Sequence, residues 1–316
     1  MSGERPNLRS GRSGVPPRYP PVGQASRLSV VSLIEITLVL DDMAIKGDQE
    51  ISFTVEERLT PEFLYKYCKL DPKNKKNLQR IFTHNEWHFS SPQQFNDPFD
   101  CRVQASFDAT DDDWEDYLNG MLKDRHPEWD YEERQTFVSQ LIRGGWREDP
   151  GTKQKIVNDV QDAVNKIGVF CLSEVRDDIL MWSHYADGHR GFCLQFHIKP
   201  EVYPFRELLF KVECTSSYPE INIVRNREDQ TRKVLLTKSD FWKYEKEWRI
   251  LDPDKGPGKR VFPAEMLTGV IFGCEMPHED RQLIREWAKG RKIPLKFYQT
   301  TKKEKEFGLE IIKAIG

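Results

Sequence analysis

A block of helix over residues 111–166 lies between two sets of strand-like runs, and that order constrains the fold more than any other feature. Trp114, Tyr117, Leu118 and Met121 form one apolar stripe at helical spacing, and Phe137, Leu141 and Ile142 form another. Gly144-Gly145 breaks the block, and Asp149-Pro150-Gly151 opens a further helix that ends at Gly168. Ahead of it, residues 63–68 alternate as a strand does, 74–82 carry Leu78, Ile81 and Phe82 at helical spacing, and 87–89 read as a second strand. Behind it, strands are predicted at 169–172, 191–197, 208–214, 247–251, 270–273 and 295–300. Asp177-Asp178 caps a brief helix over 179–185 that Asp187-Gly188 terminates, and longer helices are predicted at 232–241 and 279–290. Strands that open and close the chain around bunched helices predict an α+β fold rather than an alternating α/β one. One α+β domain is expected over 59–316, with a helical insertion at about 111–167.

Residues 1–58 read as a disordered or weakly structured extension, because 1–27 are rich in Arg, Pro, Gly and Ser without apolar periodicity. The apolar run at 29–40 is short and interrupted by Glu35, and Met43 offers an alternative start to the chain. A formal charge of -3 over 316 residues excludes a globally basic nucleic-acid binder while leaving a local basic groove open. No apolar run approaches the roughly 20 residues a spanning helix needs, so no membrane partner is expected. The six cysteines contain no Cys-x-x-Cys pair, which fits reduced thiols in a cytoplasmic protein. His84-Asn85-Glu86-Trp87-His88 resembles a helical zinc box, but its Glu is one place late and the pair straddles a helix end and a strand start. No metal is expected.

The chain has no phosphate-cradling glycine loop and no Gly-x-Ser-x-Gly elbow. Three segments mix aromatic, histidine and carboxylate groups in ways a plain core does not. They are Tyr65-Lys66-Tyr67, the run Trp182-Ser183-His184-Tyr185, and Trp242-Lys243-Tyr244-Glu245-Lys246-Glu247-Trp248-Arg249. On one strand, Glu245, Glu247 and Arg249 would line one face and Tyr244, Lys246 and Trp248 the other. Two carboxylates beside one Arg can be tuned to different proton affinities and different roles. Each segment also has a plain structural reading: an aromatic ladder, a histidine at a helix end, a solvated charged face. Asn96-Asp97-Pro98 likewise reads as a turn.

Taken together with Phe95-Asn96-Asp97-Pro98-Phe99-Asp100, these boxes resemble a widespread prokaryotic domain of unknown function, over roughly residues 64–273. More distantly, the order of the boxes is similar to that of ADP-ribosyltransferase-like domains. That resemblance implies a split, antiparallel-rich sheet that clasps NAD as co-substrate, without a metal. It implies that Tyr65 or Lys66 holds a ribose, with Tyr67, Asn96, Asp97, Trp182 and Arg249 completing the cofactor site. Tyr185 would stack on nicotinamide, with His184 beside it. Glu247 would accept the ribose 2′-OH and stabilise the oxocarbenium-like centre, and Glu245 would position or deprotonate the acceptor. The opening strand lacks an Arg or His at its first position, and the middle box lacks Ser-Thr-Ser, both departures from that pattern. The expected function is NAD-dependent ADP-ribosyl transfer to a nucleic acid or protein, of toxin or phage-defence type. The alternatives are a nucleotide- or peptide-binding module, and a metal-free or metal-assisted nuclease that uses Asp97, Asp100, Glu245 and Glu247 as a carboxylate cluster with His184, for which Mg²⁺ or Mn²⁺ dependence is expected.

Overall fold

A computed structural model describes residues 61–198, 208–225 and 227–314. The readings of residues 1–58, including 29–40 and Met43, lie outside the described residues. Among the described residues, eight strands form the main sheet, in the order β14-β13-β12-β5-β1-β4-β10-β6. They are β1 (Phe63–Cys68), β4 (Gly168–Ser173), β5 (Phe192–His197), β6 (Leu209–Lys211), β10 (Glu247–Asp252), β12 (Leu267–Phe272), β13 (Lys296–Lys302) and β14 (Leu309–Lys313). Every pairing in it is antiparallel except β12 with β13, which α7 (His278–Lys289) connects as a crossover. The fold is mixed α and β with an antiparallel-rich sheet, as expected. The expected split is reduced to a local opening: β1 and β4 meet at the single pair Tyr65↔Ser173, whereas β1 and β5 pair along six residues.

The flank of β4 that β1 leaves is taken over at its other end by the chain after β2 (Glu86–Phe89), through a bridge between Ser90 and Val169. Before β2, α1 (Lys75–His84) buries Leu78, Ile81 and Phe82 and ends at Asn85, whose left-handed backbone (φ 51°) suits an Asn. His84 therefore closes a helix and His88 sits inside a strand, as the sequence implies. Among the described residues, no group of three or more His, Cys, Asp or Glu side chains could hold a metal.

Between β3 (Gln104–Ser106) and β4 come α2 (Asp111–Arg125), α3 (Tyr131–Arg143) and α4 (Pro150–Lys166). Their starts are encoded locally. Thr110 with Asp113 and Asp130 with Glu133 form reciprocal caps, and Asp149 caps a helix that begins on Pro150. Their apolar stripes form a second core with Val169, Phe210 and Leu251 on one face of the sheet. On the opposite face, Leu64, Phe170, Phe196, Trp248 and Ile250 pack with α1 and α7.

A short helix, α5 (Ile179–Tyr185), lies on the same face as the second core and covers Tyr65 and Tyr67 through Met181 and Trp182. Asp178 caps it by accepting from the Met181 N–H at 3.0 Å. Gly191 then brings the chain against β1 so closely that a Cβ there would fall 2.2 Å from the Cys68 carbonyl oxygen.

Two element assignments need correction. The strand predicted over 208–214 is divided: β6 pairs with β10, and β7 (Glu213–Thr215) leaves to pair with β9 (Thr237–Ser239). The helix predicted over 232–241 is replaced by α6 (Arg227–Leu236), β9 and a 3-10 turn, Asp240–Glu245. Pairing of β9 with β7 outweighs the local helical pattern, and in doing so it directs Lys238 inward. Four strands were not expected at all: β3, β8 (Glu220–Asn222), which pairs with β3, β11 (Gly258–Val261), which pairs with β2, and β14, which pairs with β13.

Candidate functional site

Five ionisable side chains meet inside the protein: Asp100, Lys238, Glu245, Glu247 and Arg249. None is more than 7% exposed, so the group is screened from water and its internal pairing decides its energy. Lys238 Nζ donates to Glu245 Oε2 at 2.6 Å and to Glu247 Oε2 at 2.9 Å, and lies 3.6 Å from Asp100 Oδ2. Arg249 grips Glu247 with Nε at 2.9 Å and Nη2 at 3.0 Å, and its Nη2 also donates to Asp100 Oδ2 at 2.5 Å. Its Nη1 donates to the Leu235 carbonyl at 2.7 Å and to Cys101 Sγ at 3.2 Å. Fully ionised, three carboxylates against two cations leave one net negative charge.

The backbone explains why these groups converge. Glu247 opens β10, and its register partner Ser173 is also the partner of Tyr65, so Tyr65, Ser173 and Glu247 form one row across three strands. Arg249, two residues on, shares the face of Glu247, as expected. Glu245 does not lie on that strand. It ends the 3-10 turn, and Lys246 (φ 42°) reverses the chain in left-handed conformation, so Glu245 reaches Lys238 from the side. Ser173 Oγ donates to the Glu245 carbonyl at 2.6 Å and fixes this turn. Asp100 arrives on the 96–101 loop, which α4 holds: Gln161 accepts from the Val103 N–H at 2.9 Å and donates to the Cys101 carbonyl at 3.1 Å. Cys101 itself has φ 54°, a strained backbone held in place beside Arg249.

The half-buried Tyr185 closes the cluster on its outer side, its hydroxyl donating to Glu245 Oε1 at 2.6 Å and also bonding the Asn96 side chain. His184 is exposed, with its ring 6.3 Å from Tyr185 and 6.0 Å from Trp242. Trp242 lies 5.3 Å from Lys238 Nζ and 6.1 Å from Tyr244. A rim of aromatic rings thus borders a buried, acid-rich cluster.

The remaining sequence-predicted residues go elsewhere. Tyr67 donates to the Val175 carbonyl at 2.9 Å and packs edge-on against Trp182. Trp182 is fully buried under α5, and Asp97 accepts from the Phe99 N–H at 2.9 Å as a turn former. Tyr65 lies in the row described above with its hydroxyl bonded by Arg176. Lys66, next along the strand, turns to the other side, where Nζ donates to the Cys171 carbonyl at 2.9 Å over the Phe170 ring. Of the cofactor-site group, then, Arg249 belongs to the cluster and Asn96 reaches it through the Tyr185 hydroxyl. Sequence reasoning missed Lys238 because it fell inside an expected helix, and it noted Asp100 only in the nuclease alternative.

The two glutamates titrate apart. Burial pushes Glu247 up, but Arg249, Lys238 and their hydrogen bonds outweigh it and hold its carboxyl well below the usual range. At Glu245, burial prevails over Lys238, Glu247 adds repulsion, and the carboxyl is raised. Burial lowers Lys238, yet the three facing carboxylates raise it further and keep it an ammonium. Because the folded Glu247 binds its proton less readily than the unfolded chain, its contribution to stability is fully present above the unfolded value of 4.5. It is lost as pH falls from there toward the folded value. Glu245 has the opposite sign, favouring the fold below 4.5 and losing that contribution as pH rises through its raised value. Glu247→Gln is expected to flatten the acid limb of a urea-midpoint-against-pH curve; an unchanged limb would assign the acid sensitivity to other groups.

These features define a mixed α/β protein with a buried ionic cluster beneath an aromatic rim. A family model described as "Protein of unknown function (DUF2971)" matches residues 181–250, the stretch that runs from α5 to the Glu245–Arg249 segment. The Asn96-Asp97-Pro98-Phe99 box lies outside that match. No curated protein and no solved structure matches the chain.

Proposed function

We propose that the chain cleaves the bond between nicotinamide and ribose in NAD and transfers ADP-ribose to a macromolecular acceptor. The observation that carries this reading is the pairing of a net-negative cluster with the aromatic rim of Tyr185 and Trp242. Oxidised nicotinamide is a flat ring with a fixed positive charge, and both features complement it: aromatic faces attract cations, and a carboxylate held nearby favours positive charge. Nicotinamide leaves with the bonding electron pair, and the charge passes to the ribose C1′. The acceptor's nucleophile attacks C1′ and releases its proton to Glu245, whose raised proton affinity makes it the better base of the two glutamates. Glu247, ionised, holds Lys238 and Arg249 in place rather than meeting the substrate. The nuclease alternative with a divalent ion draws no support, because the oxygens such an ion would need are already paired with Lys238 and Arg249.

The test is incubation of the purified chain with labelled NAD, with and without cell extract, reading free nicotinamide and macromolecule-bound ADP-ribose. Glu245→Gln keeps the size of the side chain and is expected to lower nicotinamide release by about a hundredfold with circular dichroism unchanged. If the wild-type chain releases no nicotinamide under either condition, the proposal fails.

A further inference from the structure

We propose that the fork where β1 and the end of β2 part along the flank of β4 is a binding site for a small phosphate-bearing ligand. It is independent of the glutamate cluster. The fork has a defined floor. Tyr65 pairs with Ser173 at one end of β4 and Ser90 bridges Val169 at the other, and between them the Cys171 carbonyl takes the Lys66 ammonium. That ammonium stands 4.8 Å from the Phe170 ring centroid and, among the described residues, has no carboxylate partner. One of its three N–H groups bonds the Cys171 carbonyl, which leaves two for a ligand or solvent.

Two more basic groups join it. His88 and Lys259 are register partners in the β2–β11 pair, which puts their side chains on one side at about 5 Å between Cβ atoms. Burial first, then Lys259 and Lys66, lowers the proton affinity of His88, so both ammoniums act on the imidazole. Glu86, the acidic neighbour on the same strand, is held by both Nε and Nη2 of Arg80 and also feels Lys259 and His84. Lys66, Lys259 and Arg80 against Glu86 leave a local excess of positive charge, in a chain whose total is -3. Like charges gathered from two strands and a helix repel, and an anion that accepts from several N–H groups relieves that repulsion. A phosphate dianion has the charge and the tetrahedral oxygens to engage Lys66, His88 and Lys259 together.

The experiment follows the His88 imidazole by NMR in the full chain during titration with inorganic phosphate, against chloride at matched ionic strength. Phosphate is expected to shift the His88 resonance saturably and to raise its midpoint, whereas chloride does neither. Lys259→Gln, an exposed and structurally mild change, is expected to raise the His88 midpoint without ligand and to weaken phosphate binding about tenfold. Lys66→Met, which keeps the aliphatic stem, is expected to act in the same direction. An equal response to chloride, no saturation, or phosphate affinity unchanged in Lys259→Gln would each overturn the assignment. Binding of oligonucleotides without binding of phosphate would overturn it as well.

Discussion

Arg249→Ala is expected to cost the fold about 3–5 kcal/mol, seen as a large fall in the urea midpoint, because it strips the partner from buried charges rather than removing a pair. Arg249 is 0% exposed, and its guanidinium holds Glu247 twice, Asp100 once, the Leu235 carbonyl and the Cys101 thiol. Without it, three carboxylates face one cation, Lys238, and a void opens beside Phe95, whose ring lies 5.3 Å from the guanidinium. Arg249→Lys is expected to recover only part of the loss, since an ammonium cannot reproduce the fork that grips Glu247 from two nitrogens. Replacing Arg249 and Glu247 together by Met should destabilise less than Arg249→Ala alone, because the uncompensated charge then disappears. A loss below about 1 kcal/mol in Arg249→Ala, the range of exposed pairs, would mean that water reaches these groups.

The parts of this arrangement that could be read from the sequence are those with local causes. The limits of α5 follow from Asp178 at its start and the Asp187-Gly188 turn beyond its end, and the helices of the insertion follow from their caps and stripes. The face shared by Glu247 and Arg249 follows from the two-residue period of a strand. That same period separates Tyr65 from Lys66, which the ADP-ribosyltransferase resemblance offers as alternative ribose-holding residues. What could not be read depends on partners distant in the chain. Strands β3, β8, β9 and β11 have three or four residues each, and their pairing rather than their composition defines them. Lys238 has an ordinary sequence neighbourhood; only the β7–β9 pairing makes it the hub of the cluster. The local opening between β1 and β4 is equally invisible, since the run 168–173 reads as a strand whether or not its neighbour diverges.

Trp182→Ala is expected to cost about 3–5 kcal/mol and, unlike Glu245→Gln, to lose activity and stability together. The indole is fully buried, meets Tyr67 edge-on at 5.3 Å, stacks with His189 at 6.4 Å and donates from Nε1 to the Arg176 carbonyl at 2.9 Å. Its backbone carbonyl accepts from the N–H groups of Ala186 and His189, tying the end of α5 to the turn behind it. A helix of seven residues has little stability of its own, so this packing decides where α5 sits. Tyr185 is three residues further on, and its bond to Glu245 requires α5 to hold its place on the sheet. Trp182→Phe should restore most of the packing but leave the Arg176 carbonyl without its donor, giving an intermediate loss. Paired urea titrations and nicotinamide-release assays on Trp182→Ala, Trp182→Phe and Glu245→Gln separate support of the site from chemistry at it. If Trp182→Ala keeps its urea midpoint, α5 is anchored by other contacts and Tyr185 does not depend on this side chain for its position.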